Sequence, residues 1–196
     1  MKFFLVASAA TAVLASTEAV PEMTEVDGEL RVNVAFIEQF LAGIAEGVFA
    51  VNHLNKINVC FKDLTKMAVD LPPIIADLKS KSLAKIPDAL MHVGNILIEA
   101  PRDFNDCRQV QHDFARISAW LAPIKADPKT AGALMWANIM ANYVPMIHDL
   151  DLMNQALAKN NIMGAGQDVA EILKLGMGPI KSEAPVELEA IEMTQW

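Results

Sequence analysis

Phe36, Ile37, Phe40, Leu41, Ile44, Val48 and Val51 recur every three or four residues. That is the period of one face of an α-helix, and these seven side chains fall within about 140° of a helical wheel. A chain that repeats such stripes has to bury them against one another, so the pattern predicts a helix bundle. The first stripe predicts a helix from about Leu30 to Asn55. Gly43, Gly47 and Ala50 edge the stripe at i, i+4, i+7, a spacing that lets a second helix backbone come close. Glu38 and Glu46 are the only charges between Phe36 and Val48.

Further stripes follow. Phe61, Leu64, Met67, Ala68 and Leu71 predict a second helix from near Asn58, kinked or ended at Pro72-Pro73. Pro87 suits the first turn of a third helix carrying Leu90, Val93, Ile96 and Leu97. Phe104, Cys107, Val110, Phe114, Ile117 and Leu121 predict a fourth, from about Asp103 to Leu121. Asp127-Pro128 reads as N-cap and first helical position of a fifth, from Lys129 to His148. Here Leu134, Met135, Trp136, Ile139, Met140, Val144, Met146 and Ile147 leave only Asn138 and Asn142 as a polar stripe. Asn160-Asn161 marks a turn. A last short helix holds Val169, Ile172 and Leu173 and stops at Gly176-Met-Gly-Pro. No stretch shows sustained strand alternation. The reading is all-α: a single-domain bundle of about five to six amphipathic helices, one of them kinked at Pro72-Pro73, with one disulfide.

The start, MKFFLVASAATAVLAS, has the basic beginning, short apolar run and small-residue end of a secretory signal peptide. Cleavage fits after Ala15 or after Ala19; a buried N-terminal helix is the competing reading. The domain layout is residues 1–15 signal, 16–29 acidic leader, loose until about Glu29, 30–180 helical domain and 181–196 acidic tail. Export gives Cys60 and Cys107, the only two cysteines, an oxidising setting. A bridge between them would stabilise by about 4 kcal/mol on chain-entropy grounds; two buried free thiols are the alternative. No Asn-x-Ser/Thr sequon is present.

Recognisable catalytic or nucleotide-binding motifs are missing. His53, His92, His112 and His148 are far apart, and His148-Asp-Leu-Asp151 reads as a capping or surface cluster rather than a metal site. The net charge of −8 disfavours nucleic acid. Within it, Lys56 to Lys85 holds six lysines against three aspartates. Lys62, Lys66, Lys79, Lys81 and Lys85 are candidates for contact with anionic lipid phosphates, against the plainer reading of a solvated helical face. The mean hydropathy, +0.28, is high for a water-soluble chain, and no Lys or Arg occurs from Thr130 to Ala158. The first and fifth helices therefore hold the candidate lipid-tail or subunit-facing residues: Phe36, Phe40, Ile44, Val48, Met135, Ile139 and Met146. The plainer alternative is a closed core with methionine filling gaps.

These landmarks resemble a family of small exported all-α proteins abundant in ciliate protists. Its members open with Phe-Ile-x-Gly-Phe-x-x-Gly-[Ile/Leu], matched by Phe36 to Ile44 except at Gln39. Cys60, then Asp106-Cys107 with Trp120 and Pro128, then Gly166 to Leu173 and Gly178-Pro179-Ile180 follow in the family's order. Asn160-Asn161-Ile162 departs from its usual Asp-Tyr-Tyr. The resemblance implies no enzymatic activity and an extracellular protein tubule filled with phospholipid. The expectation is thus a secreted structural protein that binds phospholipid and self-assembles, with itself and lipids as partners, no cofactor or metal, and no integral membrane span. The alternatives are a monomeric secreted lipid carrier with a bundle pocket, and a non-lipid interaction or granule-content protein.

Overall fold

A computed structural model describes residues 21–26, 29–49, 65–100 and 108–180. Within them the order is a short hairpin followed by seven helices. Strands β1 (Met23–Val26) and β2 (Glu29–Val32) pair antiparallel, with Met23 opposite Val32 and Val26 opposite Glu29. The helices are α1 (Val34–Phe49), α2 (Thr65–Lys79), α3 (Ile86–Glu99), α4 (Arg108–Ala126), α5 (Pro128–Ala141), α6 (Tyr143–Ala158) and α7 (Ile162–Met177).

The fold is predominantly helical, as the stripes predict, but the described residues alone hold seven helices rather than five to six. The extra helix comes from Pro145. A single helix through 129–148 would need the Pro145 N–H to bond the Ala141 carbonyl, and proline has no N–H and clashes there. The chain instead breaks at Asn142, whose N–H and side-chain Nδ2 both donate to the Asn138 carbonyl, each at 2.9 Å. Pro72 and Pro73 act differently: α2 runs through both, so they do not end it.

The start of the domain also differs from expectation. Residues 29–32 are strand, not helix, and pair with part of the leader. Asn33 joins hairpin to bundle. Its Oδ1 accepts from the Phe36 N–H at 2.9 Å, in the manner of an N-cap, and from the Glu22 N–H at 3.1 Å. Met23 and Val32 pack against the edge of the core.

α1 and α7 form the centre. Phe36, Ile37, Phe40, Leu41, Ala42, Ile44 and Ala45 of α1 are buried. From Phe40 to Ala45 six consecutive residues are enclosed, more than a full turn, so this part of α1 has no solvent face. A helix that is apolar all round belongs inside, and this accounts for its lack of Lys and Arg. Phe36 and Phe40 stack with centroids 6.0 Å apart. α7 supplies Ile162, Ala165, Val169, Ala170, Ile172 and Leu173 to the same core. The crossing is backbone against backbone: a Cβ built on Gly43 would lie 2.0 Å from the Met163 carbonyl oxygen. Around this pair pack α6 and α5 against α7, and α2 against α3 and α3 against α4. Asp127 caps α5, its carboxylate accepting from the Thr130 N–H at 3.1 Å and the Thr130 hydroxyl at 2.6 Å. Asn161 caps α7, accepting from the Gly164 N–H at 3.0 Å.

Candidate functional site

Phe36, Phe40 and Ile44 of α1, with Met135 and Ile139 of α5 and Met146 of α6, are buried in the chain's own core, and Val48 is half-buried. The outward-facing apolar surface expected of these residues is therefore not where they sit. Stripes at helical spacing mark the side of a helix that packs best, and here the chain itself supplies the packing partner.

The outward surface is the other side of α5 and the start of α6. Leu134 is 47%, Trp136 44%, Met140 51%, Tyr143 45% and Val144 76% exposed. Ala133, Ala137, Ala141 and Pro145 are exposed between and beside them. From Thr130 to Ile147 no side chain is charged. The wide apolar circumference of this segment thus has two fates. Ala131, Met135 and Ile139 face inward, and Leu134, Trp136 and Met140 face out. Scattered exposed apolar residues are ordinary, but a contiguous uncharged group is a mark of an interaction surface. Asn138, at the edge of this face, donates from Nδ2 to the Gly176 carbonyl at 2.8 Å and pins α5 to the end of α7.

Gly43 and Gly47 both lie against α7. A Cβ on Gly47 would meet the Ala170 Cβ at 2.6 Å, so the small-residue strip serves close packing within the chain.

Of the lysine group, Lys79, Lys81 and Lys85 lie together at the end of α2 and in the turn that follows it. Lys62 lies outside the described residues, and Lys66 stands in the first turn of α2. Lys79 is exposed at the end of α2. Lys81, in a left-handed turn (φ 52°), pairs with Asp151 of α6. Lys85 pairs with Asp77 at 2.7 Å. Exposed ion pairs like these contribute little stability. Cys60 and Cys107, and the bridge expected between them, lie outside the described residues.

Between α2 and α3 lies a cavity of about 330 Å³, lined by Met67, Ile74 and Ile96 together with Asp70, Asp77 and Glu99. A second acidic group sits between α6 and α7. Desolvation holds the Asp168 carboxyl up at about 6, with Asp149 and Glu171 adding repulsion and His148 opposing it. Desolvation raises Asp149 as well. On α1, burial raises Glu38, and Oε2 of Glu46 is buried with no hydrogen-bond partner. Glu38 and Glu46, the two charges of α1, are both half-buried. Among the described residues, no group of three or more His, Cys, Asp or Glu side chains has the arrangement to hold a metal ion. Among them too, no helix is long and apolar enough to cross a membrane.

Comparison with known proteins adds one relationship. No curated protein and no solved structure matches the chain. The family described as SctB-like, secreted protein B-like, matches it over residues 17–177, which takes in the hairpin, all seven helices and the exposed face of α5. The chain therefore belongs to the SctB-like family of secreted proteins.

Proposed function

We propose that this is an exported structural protein that self-assembles with phospholipid into an extracellular filament or tubule. The observation that carries the reading is the uncharged apolar face made by Leu134, Trp136, Met140, Tyr143 and Val144. The helical core closed by α1 and α7 leaves these side chains uncovered. Covering them stabilises at about 25 cal/mol per Å², so a few hundred Å² per subunit is enough to drive association. The resemblance to the ciliate family of lipid-filled tubules supplies the lipid and the tubular form. Lys79, exposed at the end of α2, and the lysines of the following turn are the headgroup contacts in this reading.

The carrier alternative draws less support. The cavity between α2 and α3 carries three carboxylates on its wall, a poor lining for an acyl chain. The test is direct. The secreted protein is purified, viewed by negative stain and extracted with chloroform–methanol. Filaments or tubes with co-purifying phospholipid support the reading. A lipid-free particle that sediments as a monomer sinks it.

A further inference from the structure

The exposed face of α5 lies beside the point where the described chain ends. The Gly176 carbonyl accepts from Asn138 of α5 at 2.8 Å, and a Cβ built on Gly176 would lie 3.1 Å from Leu90 and 3.9 Å from Met135. Two residues later Gly178 turns the chain out of α7 with φ 83°, a conformation that favours glycine. The backbone therefore leaves the bundle next to the edge of the face formed by Leu134, Trp136 and Met140. Beyond Ile180 the sequence continues for sixteen residues, KSEAPVELEAIEMTQW.

We infer that this C-terminal segment, residues 181–196, docks on the exposed face of α5 and the start of α6 and covers it in the monomer. Reach allows it. α5, at fourteen residues, is about 21 Å long, and sixteen residues span about 24 Å as helix and about 50 Å when extended. Composition fits it. Val186, Leu188, Ile191, Met193 and Trp196 are the apolar side chains of a segment otherwise rich in glutamate. The face offers them apolar contact and, being uncharged from Thr130 to Ile147, opposes none of those glutamates. Charge favours one direction along it. Lys129 is exposed in the first turn of α5, where the helix dipole is also positive, and Glu187, Glu189 and Glu192 are its complements; Lys125, in the last turn of α4, is exposed nearby but lies 3.9 Å from Glu99. A segment tethered beside its site acts at millimolar effective concentration, so modest affinity keeps the face covered until a competing surface displaces it. That this cover restrains assembly rests on the function proposed above; the docking itself does not.

The experiment uses dilute, lipid-free mature protein. Three chains are compared: the full chain, a chain ending at Ile180, and a full-length chain carrying Leu188→Asp and Ile191→Asp. Binding of a hydrophobic dye and hydrogen exchange of peptides covering α5 are measured. Docking predicts a several-fold rise in dye signal and faster exchange in both altered chains. It also predicts that a synthetic 181–196 peptide, at about millimolar concentration, reverses both in the shortened chain. Unchanged signals in both altered chains overturn the inference. So does protection of α5 in the full chain that fades on dilution, because the cover is then a second copy. Should the shortened chain fail to fold, the substituted full-length chain decides. No lipid is present, so the result is separate from whether the protein forms tubules.

Discussion

Gly43 of α1 and Gly166 of α7 sit face to face with no side chain between them. A Cβ on Gly166 would lie 2.2 Å from the Phe40 carbonyl oxygen and 3.0 Å from the Gly43 Cα. The obstacles are backbone atoms at the centre of the core, so they cannot swing aside as a flexible side chain does. Gly43→Ala and Gly166→Ala should each cost about 3 kcal/mol, read as a lower denaturation midpoint at unchanged m-value. Gly132→Ala is the contrast. Its new Cβ meets only the end of the Met91 side chain, the sulfur at 3.6 Å and Cε at 3.9 Å, ordinary contacts, so the gain in helix propensity should stabilise by about 0.5–1 kcal/mol.

The two sides of α5 should separate stability from association. Met135→Ala and Ile139→Ala remove buried side chains and should each cost about 2–5 kcal/mol. Met140→Lys and Val144→Lys alter exposed positions and should change monomer stability by no more than about 0.5 kcal/mol. Under the proposed function they abolish filaments and co-purifying lipid. Thermal melts and negative stain on the same four variants give both readings. Assembly that survives both lysine substitutions would remove this face from the proposal.

Asp168 gives a pH dependence of definite sign. Its folded pKa of about 6 stands above the ordinary 3.8, so the folded state disfavours the carboxylate. Below about pH 4 the group is protonated folded and unfolded, and folding carries no penalty. The penalty grows as pH rises from about 4 to 6 and is complete above that. Asp168→Asn should therefore stabilise at neutral pH, by about 1 kcal/mol once solvent screening is allowed for, and make no difference near pH 4. Urea midpoints of both proteins across that range test it. An equal shift at all pH values would mean that the substitution acts through something other than charge.

Asp127 has the opposite sign. The Thr130 hydroxyl and N–H hold its carboxyl below the ordinary range, so its contribution is present above about pH 4 and lost as pH falls further. Asp127→Ala should lower the melting temperature at neutral pH and lose that effect in acid. Asn161→Ala, which removes the cap of α7, should cost about 1 kcal/mol with little pH dependence.

How far the sequence carries the reading depends on the residue. Stripes such as Val110, Phe114, Ile117 and Leu121 identify both a helix and its buried side, because a helix with one apolar face has one way to sit. Asp127-Pro128 locates a helix start to the residue. α1 is harder. Its alanines and glycines look like the back of an amphipathic helix until a second helix is known to lie there. In α5, apolar residues on nearly every side leave the inward direction undetermined, so Met135 and Trp136 read alike although one is buried and the other is not. The hairpin is missed because four-residue strands show too little alternation. Asp27-Gly28, between the strands, is the hairpin signal that would have found it.

The meeting of α1 with α7 also bears on the order in which such a chain can fold. Lys174 of α7 donates to the Gly47 carbonyl of α1 across 127 positions of sequence, and among the described residues this seam joins the first helix to the last. As synthesis proceeds from the N-terminus, the Phe40–Ala45 part of α1, enclosed on every side in the folded chain, emerges with no partner to enclose it. Compaction around it waits until nearly the whole polypeptide has been made. The pairing of α1 with α7 is thus a contact of high sequence separation, the kind that forms late in folding.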